Sequence, residues 1–208
     1  SAALCESDLR AGRYDGAEVE VLLVNWRDVA ERQVLFAGSL GEISRADGAF
    51  RAELRGLSEA LAQVRDRIYQ RSCTAVLGDA LCRVNLNTPA YRLELPAGDI
   101  REGRIFVFPR QGDEDRWFER GRLRVLSGAG EGLSGMIRND RQSGSGREVE
   151  LWDRLAADIS PGDLLELTAG CDRQIATCRA KFANHVNYRG FPHLPSEDWL
   201  TAVPGRRI

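Results

Sequence analysis

The chain has 208 residues, 43% of them hydrophobic and 29% charged. That is enough apolar material for one large domain or two small ones, and too much for an intrinsically disordered chain. With 29 basic and 31 acidic residues the formal charge is −2, which argues against a nucleic-acid coat or a polybasic membrane anchor.

No apolar run approaches the length of a membrane span, and the start carries no signal-peptide pattern. Ser1 to Arg10 open without turn or capping logic, so the expectation is the later part of a longer chain. Val19, Val21 and Leu23 alternate with Glu18, Glu20 and Leu22, the period of a half-buried strand. Val34 to Ile43 continues in β-branched and small residues. Asp47-Gly48 then separates that run from Phe50-Ala52-Leu54, a hairpin signal because the turn needs positive φ. Leu57, Leu61, Val64 and Ile68 fall at helical spacing behind Ser58, a candidate cap. Residues 1–70 therefore read as β-sheet closed by a helix.

Residues 71–94 are irregular and carry a first cysteine pair. Residues 95–168 read as a second β unit with strands at Arg104–Phe108, Gly121–Leu126, Gly132–Arg138, Arg147–Trp152 and Asp163–Thr168. Short strands with regular turn punctuation suggest a small barrel or sandwich. Gly128 to Gly132 lacks the lysine of a phosphate loop and reads as a hairpin turn, as does Pro161-Gly162-Asp163. The polar run Asn139 to Gly146 reads as a solvated hairpin tip. In residues 169–208, Cys178, Phe182, His185 and Val186 are expected on one face of a short helix, before an aromatic, proline-rich tail. The fold class is thus mainly β with short helices, an α+β arrangement with an irregular cysteine-containing C-terminus.

Five cysteines occur: Cys5, Cys73, Cys82, Cys171 and Cys178. An odd count without a secretory signal argues against a pure disulfide scaffold. Eight residues separate Cys73 from Cys82 and six separate Cys171 from Cys178, with the pairs at the two ends of the second β unit. If those ends lie close together, four sulfurs converge, the ligand set for zinc or an iron–sulfur cluster. The long spacings lean towards a cluster. Two local disulfides or buried thiols remain open as alternatives, and Cys5 reads as a free or buried thiol. His185 and His193 follow the second pair and could serve as substitute ligands or as the base of a Cys-His hydrolase, but no orienting third group is marked. Asp113, Glu114 and Asp115 form an acidic cluster that suits a charged loop better than a glycosidase pair. Nothing else in the sequence marks a catalytic site.

The cysteine-rich C-terminus carries a family resemblance. Gly170-Cys171-Asp172-Arg173-Gln174, Cys178, Lys181-Phe182, Asn184 and Asn187-Tyr188-Arg189-Gly190-Phe191-Pro192-His193 are its main stretches. Asp8-Leu9-Arg10, Leu23-Val24-Asn25-Trp26, Tyr69-Gln70-Arg71-Ser72-Cys73 and Leu77-Gly78-Asp79-Ala80-Leu81-Cys82 extend it along nearly the whole chain. The sequence resembles the baseplate hub proteins of gene transfer agents and prophage tails, themselves similar to the minor tail protein L of lambda-like phages.

The resemblance implies that residues 1–70 are the C-terminal part of a β-rich hub domain whose start precedes Ser1. It also implies an iron–sulfur cluster, [4Fe-4S] rather than zinc, on Cys73, Cys82, Cys171 and Cys178. The expected function is structural, not enzymatic. A homotrimer at the tail tip of a virion or gene transfer agent particle, assembled in the bacterial cytoplasm, would join the distal tail protein to the large tip protein. A cell-wall peptidase is a further expected neighbour, and DNA would meet the ring only in passage during ejection. Two alternatives are a Cys-His cell-wall hydrolase, which needs one reactive cysteine, and an iron–sulfur redox or sensor module, which needs accessible ones.

Overall fold

The computed structural model describes residues 5–46, 49–62, 68–110, 112, 114–144 and 146–195. The chain divides into two compact units, Ser1–Arg67 and Ile68–Ile208.

In the first unit a short helix α1 (Glu6–Arg10) precedes strands β1 (Glu18–Asn25), β2 (Asp28–Ala46) and β3 (Ala49–Gly56), followed by α2 (Ser58–Ala62). The strands form an antiparallel meander in the order β1-β2-β3. Ala46 faces Ala49 at the end of the β2–β3 ladder, as the hairpin signal requires; the turn residues Asp47 and Gly48, and Val64 of the expected helix, lie outside the described residues. Not one residue of this unit whose side chain is described is buried. Leu23, Val29, Leu35, Leu57 and Leu61 are all exposed.

The second unit contains β4 (Arg92–Pro96), β5 (Ile100–Arg101), β6 (Ile105–Phe108), β7 (Arg122–Val125), β8 (Ser134–Ser143), β9 (Gly146–Leu151) and β10 (Leu164–Thr168). They make one antiparallel sheet in the order β4-β10-β7-β8-β9-β6-β5. The two end strands, β4 and β5, are joined by Ala97, Gly98 and Asp99 alone. An extended residue spans at most about 3.3–3.6 Å, so the opposite ends of the sheet must approach each other and the sheet curls into a barrel-like form. Ala97 N donates to Asp163 O (2.8 Å) beside the β4–β10 ladder, and Val107 N to Asp99 O (2.9 Å) beside the β5–β6 ladder. The period-two positions Phe106, Phe108, Leu123, Val125, Ile137, Val149, Leu151, Leu165 and Leu167 fill the interior, each almost fully buried. Full burial of each contributes roughly 1.5–3 kcal/mol.

All five strands expected in this unit are present. The hairpin expected at Asn139 to Gly146 is present, with Ser143 facing Gly146, but it is not a solvated loop along its length. Strand β8 runs on to Ser143 and β9 begins at Gly146. Asp140 and Arg147 are fully buried there. Arg147 Nε donates to Asp140 Oδ1 (2.7 Å) and Nη2 to Oδ2 (2.9 Å), while Phe118 N donates to Asp140 Oδ2 (2.7 Å). Polar residues that neutralise one another enter a core that composition alone would deny them.

After β10 the chain forms α3 (Ile175–Ala180) and a short 3-10 helix, His185–Asn187. The single expected helical face from Cys178 to Val186 is not formed. Ala183 adopts φ +49°, a left-handed conformation that ends a helix. Phe182 is buried while Val186 is 83% exposed.

Candidate metal centre

Residues 71–91 of the first cysteine segment have neither helix nor strand and depend on side chains for their shape. The Asp79 carboxylate accepts from Val76 N (2.9 Å), Leu81 N (2.9 Å) and Cys82 N (2.6 Å). Those donors, Cys82 N–H foremost, hold Asp79 below the usual carboxylate range. Arg83 at φ +63° then reverses the chain, and Cys82 and Val84 turn inward onto Ala75, Ala169 and Phe182.

The second segment leaves the barrel at β10. A Cβ on Gly170 would lie 1.8 Å from Glu119 O, so only glycine lets the chain pass there before Cys171. Asp172 organises the next turn, accepting from Gln174 N (2.9 Å) and Thr177 Oγ1 (2.8 Å), and α3 places Cys178. Lys181, the chain's single lysine, anchors the end of α3 to the barrel. Its Nζ donates to Trp117 O and to Gly170 O (2.9 Å) and sits 4.4 Å from the centre of the Trp117 ring. Burial lowers its pKa from the ordinary lysine value.

The two segments are laced together by backbone groups. Cys73 N donates to Arg173 O (2.9 Å) and Phe191 N to Gln70 O (2.9 Å). Tyr188 Oη donates to Arg71 O (2.6 Å). A Cβ on Gly190 would stand 2.5 Å from Arg71 O and 2.6 Å from Ser72 O, so that position too accepts only glycine without a shift of backbone. Asn184 Nδ2 donates to Cys82 O (2.6 Å) across 102 residues of sequence.

Cys73, Cys82, Cys171 and Cys178 consequently line one small, mostly apolar cavity with Ala75, Leu77, Val84 and Phe182. All are free thiols. Three of the sulfurs accept hydrogen bonds: Cys73 from Arg189 N (3.3 Å), Cys171 from Arg173 N (3.4 Å) and Cys82 from Asn184 Nδ2 (3.7 Å). Arg173 is in the left-handed region at φ +62°, and the turn this makes presents its N–H to Cys171. Burial raises the Cys171 thiol, and burial with its three cysteine neighbours pushes Cys178 up to about 11. Such a cavity disfavours bare thiolates and invites a cation that would neutralise them.

Among the described residues no group of three or more His, Cys, Asp or Glu side chains forms a ready site for a single metal ion. The four cysteines border a common space without closing on one point. Neither His185 nor His193 lines that space, and both are exposed. Cys5 is exposed in the other unit. Of the acidic cluster, Asp113 lies outside the described residues, while Asp115 Oδ1 accepts from Gln142 N (2.8 Å) and Glu114 O from Arg147 Nη2 (2.7 Å). These are contacts that tie a charged loop to the barrel. Residue types did not mark Asp79, Asn184 or Gly190; the local signals were an Asp three places before a cysteine and an Asn-Tyr-Arg-Gly run whose tightness only the packing explains.

Comparison with known families matches residues 1–85 to the family described as "Baseplate hub protein, N-terminal attachment domain" and residues 116–198 to "Phage conserved hypothetical protein BR0599". Among solved structures, a chain of the "Virion of native gene transfer agent (GTA) particle" is similar at 52% identity and a TM-score of 0.89, over 97% of this chain and 70% of that one. No curated protein matches the sequence.

Proposed function

Because the chain belongs to the baseplate hub family, the tail structural proteins of phage-like particles and gene transfer agents, we propose that it is a tail-tip hub whose four cysteines hold an iron–sulfur cluster as a structural staple. The observation that carries the staple is the convergence of four free thiols, from two segments on either side of the barrel, onto one cavity. The donor set is soft, the lining is apolar, and three sulfurs already receive N–H bonds of the kind that support cluster thiolates. The spread of the four around a common space, rather than about one point, suits an object larger than a zinc ion.

Cys73, Cys82, Cys171 and Cys178 would be the ligands. The cluster supplies cross-linking: ligation from residue 73 to residue 178 closes a loop around the whole barrel, and closing a loop of about 100 residues is worth on the order of 4–5 kcal/mol by chain entropy. The protein's own groups do the rest. Asp79 shapes the loop that carries Cys82, and Lys181 and Gly170 hold the second segment against the barrel.

The exposed apolar side chains of β1 to β3 are surfaces an assembly would cover. They support association with further chains; in the reading proposed here these are other copies in a homotrimer, which would join the distal tail ring to the large tip protein around a passage for DNA. No catalytic role is proposed, since the histidines stand apart from the cysteine cavity.

The test is genetic complementation of a particle-producing strain that lacks the gene. The four-cysteine-to-serine variant should yield particles without a functional tail tip and without DNA transfer. Normal tails and normal transfer would sink the staple. Loss from one cysteine alone, with the other three dispensable, would favour a Cys-His enzyme instead.

A further inference from the structure

We propose that Asn184 is a positioning residue for the Cys82 ligand, directing and supporting that sulfur through a fixed side-chain amide; the inference rests on the cluster reading above.

The orientation of the amide follows from its neighbours. The Cys82 carbonyl can only accept, so the Asn184 atom 2.6 Å from it must be the nitrogen Nδ2. The opposite atom is then Oδ1, and it accepts from Asn187 Nδ2 at 2.7 Å. Both amides are thereby fixed without ambiguity between oxygen and nitrogen. Nδ2 has two hydrogens. They suffice for both acceptors, Cys82 O at 2.6 Å and Cys82 Sγ at 3.7 Å. The donor side chain is supplied at a fixed angle, because Asn184 N donates to Cys178 O (3.0 Å) and Asn187 N to Asn184 O (3.0 Å).

One residue thus joins the carbonyl of one ligand to the carbonyl and sulfur of another. Cys82 is the most buried of the four, at 9% exposure. Its sulfur is therefore the one least able to draw hydrogen bonds from water, and a donor from the protein matters most there. Arg189 and Arg173 serve Cys73 and Cys171 through backbone N–H groups, which only proline would remove, at the cost of the local backbone. Asn184 serves Cys82 through a side chain, so this support can be deleted with the backbone donors kept.

The experiment compares wild-type protein, Asn184→Leu, Asn184→Asp and Asn187→Ala after anaerobic loading with ferrous iron and sulfide. Iron and sulfide content, the visible spectrum, the midpoint potential and the rate of loss to a chelator are read, with circular dichroism melts of the unloaded chains as a folding control. Asn184→Leu keeps the branching at Cγ and removes the donor, and should lose the cluster about 10–100-fold faster, the usual scale for an outer-shell partner. Any cluster that remains should have a lower potential, since hydrogen bonds to sulfur raise it. Asn184→Asp should be worse, placing a carboxylate beside the thiolate. Asn187→Ala leaves the donor in place but unfixed, and should give a smaller change in the same direction even if the Asn184 variants fail to fold. Variants that match wild type in both potential and chelator rate overturn the positioning role and leave the cluster reading intact. A wild-type chain that takes up neither iron with sulfide nor cobalt as a thiolate probe overturns both.

Discussion

Replacing Asp140 by alanine isolates the cost of a buried ion in the barrel. Both oxygens of Asp140 are engaged by Arg147, and Oδ2 also accepts from Phe118 N, with neither residue exposed to solvent. In the variant the guanidinium keeps its bond to Glu114 O and its place 4.6 Å from the Phe118 ring centre, but it loses both carboxylate oxygens of Asp140. Breaking a buried pair from one side costs about 3–5 kcal/mol, and leaving Phe118 N without its acceptor falls within the same loss. For a unit of this size that is a drop on the order of 10 °C in melting temperature. Removing both partners with apolar residues of similar size, Asp140→Leu with Arg147→Met, should recover most of the loss, because no uncompensated charge remains. Thermal and urea melts of the metal-free chain measure both. An Asp140→Ala chain melting within about 1 °C of wild type, or a double variant no better than the single, would refute the reasoning.

Other outcomes follow from single contacts. Gly190→Ala drives a Cβ against the Arg71 and Ser72 carbonyls and should cost about 1–3 kcal/mol, seen as faster amide exchange in both cysteine segments and an unchanged barrel. Asp79→Ala deletes the acceptor for three backbone N–H groups and should loosen Cys82, measured as faster alkylation of that thiol than of Cys171 in the metal-free protein. Lys181→Met leaves the Trp117 and Gly170 carbonyls without their lysine donor and should lower stability by about 1–3 kcal/mol. Glu119 is held below the usual range chiefly by its hydrogen bond from Arg116. Its contribution is present above the unfolded glutamate value of about 4.3 and is lost as pH falls through the lower folded value; Arg116→Ala should remove that part of the acid sensitivity in melts taken from pH 7 downward.

Much of the barrel was legible because half-buried strands write their burial as a period of two. Phe106 and Phe108, or Leu123 and Val125, announce an inner face, and the observed strands keep those registers. Strands β4 and β5 were missed because a five-residue and a two-residue segment offer too few alternations to stand out. The hairpin at Asn139 to Gly146 was read as solvated throughout for a different reason. Asp140 and Arg147 look solvated one at a time, and only their pairing across β8 and β9 lets both be buried. The convergence of four cysteines was readable from their position at the two ends of one β unit. The groups that organise them were not: a carboxylate binding its own loop, an amide reaching across 102 residues, and glycines needed for a neighbouring backbone are contacts of the folded chain, without a periodic trace. The helix expected from Cys178 to Val186 shows the limit of spacing alone, because apolar recurrence cannot reveal a left-handed residue at Ala183.

The most direct test of the staple is anaerobic purification followed by a visible absorption spectrum with iron, sulfide and zinc analysis of the same sample. The account predicts a brown protein with about four irons and four sulfides per chain, lost together in the four-serine variant. A colourless protein holding stoichiometric zinc, or neither iron nor sulfide after anaerobic loading, would contradict it.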